Sequence, residues 1–165
     1  MRIDAPQIAA AGGQIVFVGQ GERPIEASVR ALCTRYPAHV AALIGFEEAT
    51  ARQVYAGSDF LLMPSRFEPC GLSQMYAQRF GSLPIAHATG GLIDTVDDGV
   101  TGFLFAEATT DGLRRAVARA FRTWRMPGLM AAMRRAAMLR PAGWDEAGRE
   151  YLALYERAAP LAEAA

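Results

Sequence analysis

DFLLMPSRFEPCGLSQMYAQRFGSLPIAH, residues 59–87, decides the fold. Two short apolar runs, 59–63 and 83–87, have the length and composition of buried strands. Pro64 stops the first run, because proline cannot donate to a strand ladder. A polar loop follows, and the spacing then predicts a helix over 71–80, closed by Gly81. The unit is therefore strand, loop, helix, strand, the repeat of a parallel sheet.

The same alternation extends in both directions. Upstream, 14–19 (QIVFVG) and 39–44 (HVAALI) read as strands. Between them, 22–36 places Ile25, Val29, Leu32 and Tyr36 on one helical face. Residues 47–57 read as another helix, with Gly57 as its C-cap. Downstream, 102–105 is a short fifth strand. Three helices then complete the chain: one lined by Leu113, Val117, Ala120, Phe121 and Trp124, a second opening near Pro127, and a last marked by Trp144, Tyr151, Leu152 and Tyr155. The tail 159–165 is expected to fray. The fold class is α/β, a Rossmann-like parallel sheet with helices on both faces. Ligands of such sheets bind beyond the carboxyl ends of the strands, which singles out loops 19–22, 45–48, 64–72 and 88–92.

Composition narrows the chemistry. The 165 residues suffice for one domain, taken as 1–165. Formal net charge is zero, without the basic footprint of a nucleic-acid binder. All 17 basic residues are arginine, which excludes a P-loop lysine or a Schiff base from this chain. Cys33, Cys70, His39 and His87 lack metal-ligand spacing, so no metal and no cofactor is expected. No apolar run reaches membrane-spanning length and the first residues lack a signal-peptide profile, so a cytoplasmic protein is expected.

Three loops carry candidate chemistry. Gly19-Gln20-Gly21 follows a strand, but Pro24 stands where a dinucleotide fingerprint needs a third glycine, so a tight turn is the better reading. In the 64–74 loop, unpaired N–H groups at the start of the helix near Gly71 form an anion site, with Ser73 adding a hydroxyl and Glu68 a carboxylate. Such a set suits a ligand with both hydroxyls and phosphates. The plainer alternative makes Glu68 a cap-region acid and Ser73 a simple cap. Thr89-Gly90-Gly91 allows close backbone approach to a phosphate or sugar, or is an ordinary turn.

The runs SRFEPCGLSQMYAQRFGSLP, TGGLIDTV and TGFLF, with IGFEE upstream, resemble the C-terminal, nucleotide-sugar-binding domain of bacterial glycogen synthases and plant starch synthases. The resemblance covers residues 4 to about 158. It implies one half of a two-domain GT-B retaining glucosyltransferase that moves glucose from ADP-glucose to an α-1,4-glucan. It implies that Glu68, the catalytic-site acid, contacts the donor glucose near its 3-hydroxyl. It implies that amides of Cys70, Gly71 and Leu72 touch glucose hydroxyls, and that Ser73, in place of a usual threonine, reaches the distal phosphate. Phe46 matches the aromatic, usually tyrosine, that stacks on adenine. Tyr76 stands where many related transferases carry a ribose-binding glutamate and glycogen synthases commonly have tyrosine. Thr89, Gly90 and Gly91 match the glycine loop, and His87 stands where an arginine is common.

The resemblance also implies parts this chain lacks: a first strand, the arginine and lysine after it that neutralise the donor diphosphate, and an N-terminal domain with the acceptor contacts and a catalytic histidine. A partial domain is thus expected to be inactive alone. The absent strand belongs in the middle of the sheet, so its loss leaves two inner edges unpaired or forces them together, and favours self-association. Other readings stay open: a transferase using UDP- or GDP-sugars, a non-catalytic module that binds nucleotide or glucan, and a protein whose loops are only turns.

Overall fold

The computed structural model describes residues 5–45, 47–141 and 143–162. In chain order the elements are α1 (Ala5–Ala10), β1 (Ile15–Gly19), α2 (Arg23–Arg35), β2 (Val40–Ile44), α3 (Glu48–Gly57), β3 (Phe60–Met63), α4 (Ser73–Arg79), β4 (Leu83–His87), α5 (Gly91–Thr95), β5 (Phe103–Phe105), α6 (Thr110–Trp124), α7 (Pro127–Leu139) and α8 (Trp144–Ala162). Every strand expected from the sequence is present, each within a residue of its expected start. All pairing is parallel.

The strands form two sheets rather than one. β1 pairs with β2 from Ile15↔Val40 to Gly19↔Ile44, and β3-β4-β5 form a separate three-stranded sheet. Among the described residues the strands of the two sheets do not pair with one another. What joins the sheets is α6. Its Val117 and Phe121 pack against the cluster of Ile8, Ile15 and Val40. Phe121 also stacks on Phe60 of β3 at 6.3 Å, and Val117 lies against the main core.

That main core surrounds β4, all five residues of which are buried. Leu83 and Ile85 meet Phe103, Phe105, Leu113, Ala116 and Ala120, with Met130, Met133 and Ala137 of α7 behind them. Ala86, in a separate cluster, meets Met63 and Leu92 of α5. Covering both faces of the central strand is what lets it be apolar from Leu83 to Ala86. The smaller sheet is less protected: Val16 and Leu43 are exposed, and α2 and α3 bury no residue fully.

Several expectations shift. The helix expected from Gly71 starts at Ser73, because Gly71 takes a left-handed φ of +73° that no helix accommodates. Gly57 is the last residue of α3 and has no positive φ; the cap is Ser58 in extended conformation. Ile25 and Trp124 have the periodicity of buried positions but are exposed. The aromatic residues of α8 share one side as a ladder, Trp144 to Tyr151 and Tyr151 to Tyr155 each at 6.3 Å, yet all are exposed. α8 stays helical to Ala162, into the tail expected to fray; residues 163–165 lie outside the described set. Among the described residues, no helix is long and apolar enough to cross a membrane.

Candidate functional site

The parallel register of β3 and β4 carries their following loops to the same end of the larger sheet, and backbone bonds fasten the two loops together. The Gly91 N–H donates to the Glu68 carbonyl oxygen at 3.0 Å. Gly90 sits at φ +47°, where a Cβ would overlap that oxygen and lie 2.9 Å from the Glu68 carbonyl carbon. A Cβ on Gly91 would come 2.6 Å from the Cys70 carbonyl oxygen. The glycine pair is therefore needed first for loop-on-loop packing. Its Gly91 N–H is spent on the 64–72 loop.

His87 fastens the base of this clamp. It ends β4, is almost fully buried, and its Nδ1 lies 2.8 Å from the Ser65 carbonyl oxygen and its Nε2 3.3 Å from that of Ala106. The imidazole thus spans the loops after β3 and β5. Ser65 in turn offers its hydroxyl to Glu68 Oε2 at 3.3 Å, a long contact that leaves the half-buried carboxylate with acceptor capacity to spare.

Beside Glu68 the chain turns through Cys70, Gly71 and Leu72. Among the described residues, no acceptor pairs with the N–H of Gly71 or of Leu72, and Leu72 is exposed. Ser73 is the first helical residue and makes no capping bond; the N-cap position is Leu72. α4 has only seven residues, so its macrodipole is small. The useful polarity at this point comes from the loop's own peptide groups. Two adjacent amides without an acceptor among the described residues, on the same loop as the Glu68 carboxylate, supply donors and an acceptor, a match for hydroxyl groups, which do both.

Glu68, Cys70, Gly71, Leu72, Ser73, Thr89, Gly90 and Gly91 thus share the loops at one end of the sheet. Tyr76 is one turn into α4 and exposed, and its ring lies 6.5 Å from Tyr55 of α3. Phe46 lies outside the described residues.

The model of the family described as "Glycosyl transferases group 1" matches residues 3–123. The chain belongs to that family. A curated glycogen synthase of Xanthomonas oryzae pv. oryzae is 72% identical over 160 residues, 97% of this chain and 31% of the relative. The chain therefore spans about a third of the length of the curated relatives it matches. Among solved structures, the catalytic domain of starch synthase IV from Arabidopsis thaliana, bound to ADP and acarbose, superposes with a TM-score of 0.81 at 33% identity, covering 93% of this chain and 34% of that one. An Anabaena protein in complex with UDP gives 0.62 at 25% identity, over 79% of this chain and 37% of that one. The neighbours are GT-B glycosyltransferases, and the α/β fold expected from the sequence is the one observed.

Within this glycosyltransferase fold, the sequence reading passed over Tyr55, Gln74, Gln78 and Thr95. Gln74 and Gln78 are buried on the inner face of α4, one turn apart; Gln74 holds the 64–72 loop from beneath, whereas Gln78 bonds the Thr95 carbonyl and Thr101. Two glutamines spaced i, i+4 beside a buried alanine, Ala77, were a readable signal: polar groups on a core-facing stripe need partners.

Proposed function

We propose that this chain is the donor-binding domain of a glycogen synthase, holding ADP-glucose for retaining transfer of glucose to an α-1,4-glucan. The observation that supports it most is the pair of unpaired Gly71 and Leu72 amides beside the Glu68 carboxylate, on a loop clamped by the double glycine. In this reading Glu68 accepts a hydrogen bond from the glucose 3-hydroxyl, and the two amides donate to neighbouring sugar oxygens. The Ser73 hydroxyl reaches the distal phosphate, Tyr76 flanks the ribose, and Phe46 stacks on adenine. Thr89, Gly90 and Gly91 close the site behind the sugar.

Transfer breaks the bond between glucose C1 and the diphosphate oxygen and leaves negative charge on ADP. Stabilising that charge is the dominant catalytic demand. Described residues near the cradle provide backbone donors and a hydroxyl for it, and the chain holds no lysine. The reading therefore assigns donor binding to this chain and makes turnover depend on groups in the other two thirds of its relatives' length, where the acceptor glucan is also held.

Calorimetric titration of the wild-type chain and Glu68→Ala with ADP-glucose and with ADP tests the assignment. Because Glu68 is assigned to the sugar, the substitution weakens ADP-glucose binding by about ten-fold or more and leaves ADP binding nearly unchanged. Equal loss for both ligands contradicts the role given to Glu68.

A further inference from the structure

The Gly71 and Leu72 amides have no acceptor among the described residues, and the packing beneath them gives a reason. Gln74 is completely buried beneath them. Its Nε2 donates to the carbonyl oxygens of Cys70 at 3.1 Å and Gly71 at 2.8 Å, and to Thr95 Oγ1 at 3.0 Å. In a trans peptide the carbonyl and the N–H of the same unit point in opposite directions. The carbonyl of Cys70 shares a unit with the N–H of Gly71, and that of Gly71 with the N–H of Leu72. Drawing both carbonyls inward onto one carboxamide turns both N–H groups outward. Gly71, at φ +73°, lets two successive units adopt that sense, and a Cβ there would lie 2.5 Å from Gln74 Oε1.

Gln74 Oε1 is itself buried without a partner, a standing cost in stability. Exchanging the oxygen and nitrogen of the carboxamide would not relieve it, because the oxygen would then face two carbonyls. The nitrogen orientation is therefore fixed by the loop, and the orphan oxygen is what the inward carbonyls leave behind. Thr95 extends the effect: its hydroxyl accepts from Gln74 and donates to the Gly91 carbonyl at 2.6 Å, so one carboxamide spans both site loops. Gln78, one turn on, makes equivalent buried bonds to the Thr95 carbonyl at 3.0 Å and to Thr101 Oγ1 at 3.2 Å, but to neither peptide of the cradle.

We propose that Gln74 is a positioning residue of the donor site, setting the Gly71 and Leu72 N–H groups as a preformed pair of donors for the sugar or phosphate oxygens of a nucleoside diphosphate sugar. This rests on the donor-binding reading above and adds the residue that orients its backbone donors.

Gln74→Met keeps the side-chain length and removes the amide; Gln78→Met removes an equally buried amide that does not touch the cradle. ADP-glucose binding is measured for both and for wild type, alongside thermal stability. Single-residue hydrogen exchange is recorded on the unligated wild type. Both variants lose stability, but only Gln74→Met loses about ten-fold or more in ADP-glucose affinity, with Gln78→Met within about three-fold of wild type. In the unligated wild type the Gly71 and Leu72 amides exchange nearly as fast as free peptide. Equal affinity losses in the two variants, or protected Gly71 and Leu72 amides, overturn the proposal. If the wild type binds neither ADP-glucose nor ADP, the donor-binding reading falls by itself, and the exchange rates still decide whether the Gly71 and Leu72 amides are open as the orientation by Gln74 requires.

Discussion

Gly90→Ala is the sharpest single test of how the two site loops are joined. At Gly90 the new methyl group meets backbone, the Glu68 carbonyl and the Pro69 Cα at 3.6 Å, rather than a side chain that can swing away. Three costs combine. The backbone at Gly90, φ 47° and ψ −137°, costs alanine about 1–3 kcal/mol. Overpacking against a fixed neighbour costs about 1–3 kcal/mol. Displacing the loop also weakens the bond from the Gly91 N–H to the Glu68 carbonyl, worth about 1 kcal/mol. Relaxation will recover part of the sum, leaving about 3 kcal/mol. Gly99 supplies the control: its φ is +76° but nothing lies within 4 Å of an added Cβ, so Gly99→Ala incurs the conformational term alone, about 1 kcal/mol. For a domain of this size the melting temperature falls by about 2–4 °C per kcal/mol. Thermal unfolding followed by circular dichroism should therefore show Gly90→Ala melting roughly 6–12 °C below wild type, and Gly99→Ala roughly 2–4 °C below. Equal shifts would mean that the loops do not rest on one another at Gly90, and the clamp that presents Glu68 would lose its basis.

Three further outcomes follow from the same picture. Phe46→Ala should weaken ADP binding by about 1–3 kcal/mol in calorimetry if the ring stacks on adenine, by analogy with base stacking on aromatic side chains; an unchanged affinity removes Phe46 from the site. An isotope-transfer assay should find no glucan extension by the purified chain and measurable extension when the remaining two thirds of a relative is supplied in trans; activity of the chain alone refutes the division of labour. Among the described residues the outer strands of both sheets have unpaired edges, and Val16 and Leu43 expose apolar surface on the smaller one, so light scattering should show self-association at micromolar concentration; a monodisperse monomer contradicts this.

What the sequence made legible was set by how local the signal is. The strands were plain because each is a short, mostly apolar run bounded by glycine, proline or a polar turn, and burial of β4 on both faces follows from its apolar Leu83–Ala86 run. Helix faces were half legible. Periodicity identified the side of α6 that carries Leu113, Val117 and Ala120, but it could not say that Trp124 stays exposed, because burial depends on other elements. α5 was missed since Gly90-Gly91 is a turn signal, and the helix is held by long-range bonds: Thr95 to Gln74, and Gly91 to Glu68. The site divides in the same way. Glu68, Gly71 and the glycine pair stood out as residue types. Which backbone the glycines touch is set by contacts between positions more than 20 residues apart, which no local pattern encodes; Gln74 reaches carbonyls only three and four residues away, but its burial, which aims it at them, depends on the elements packed around α4.

The central claim is that these clamped loops form a cradle for a nucleoside diphosphate glucose. Equilibrium binding of labelled ADP-glucose to the wild-type chain, with ADP and UDP as competitors, tests it most directly. The account predicts saturable one-site binding displaced more readily by ADP than by UDP; absence of saturable binding, or binding of glucan without nucleotide, contradicts it.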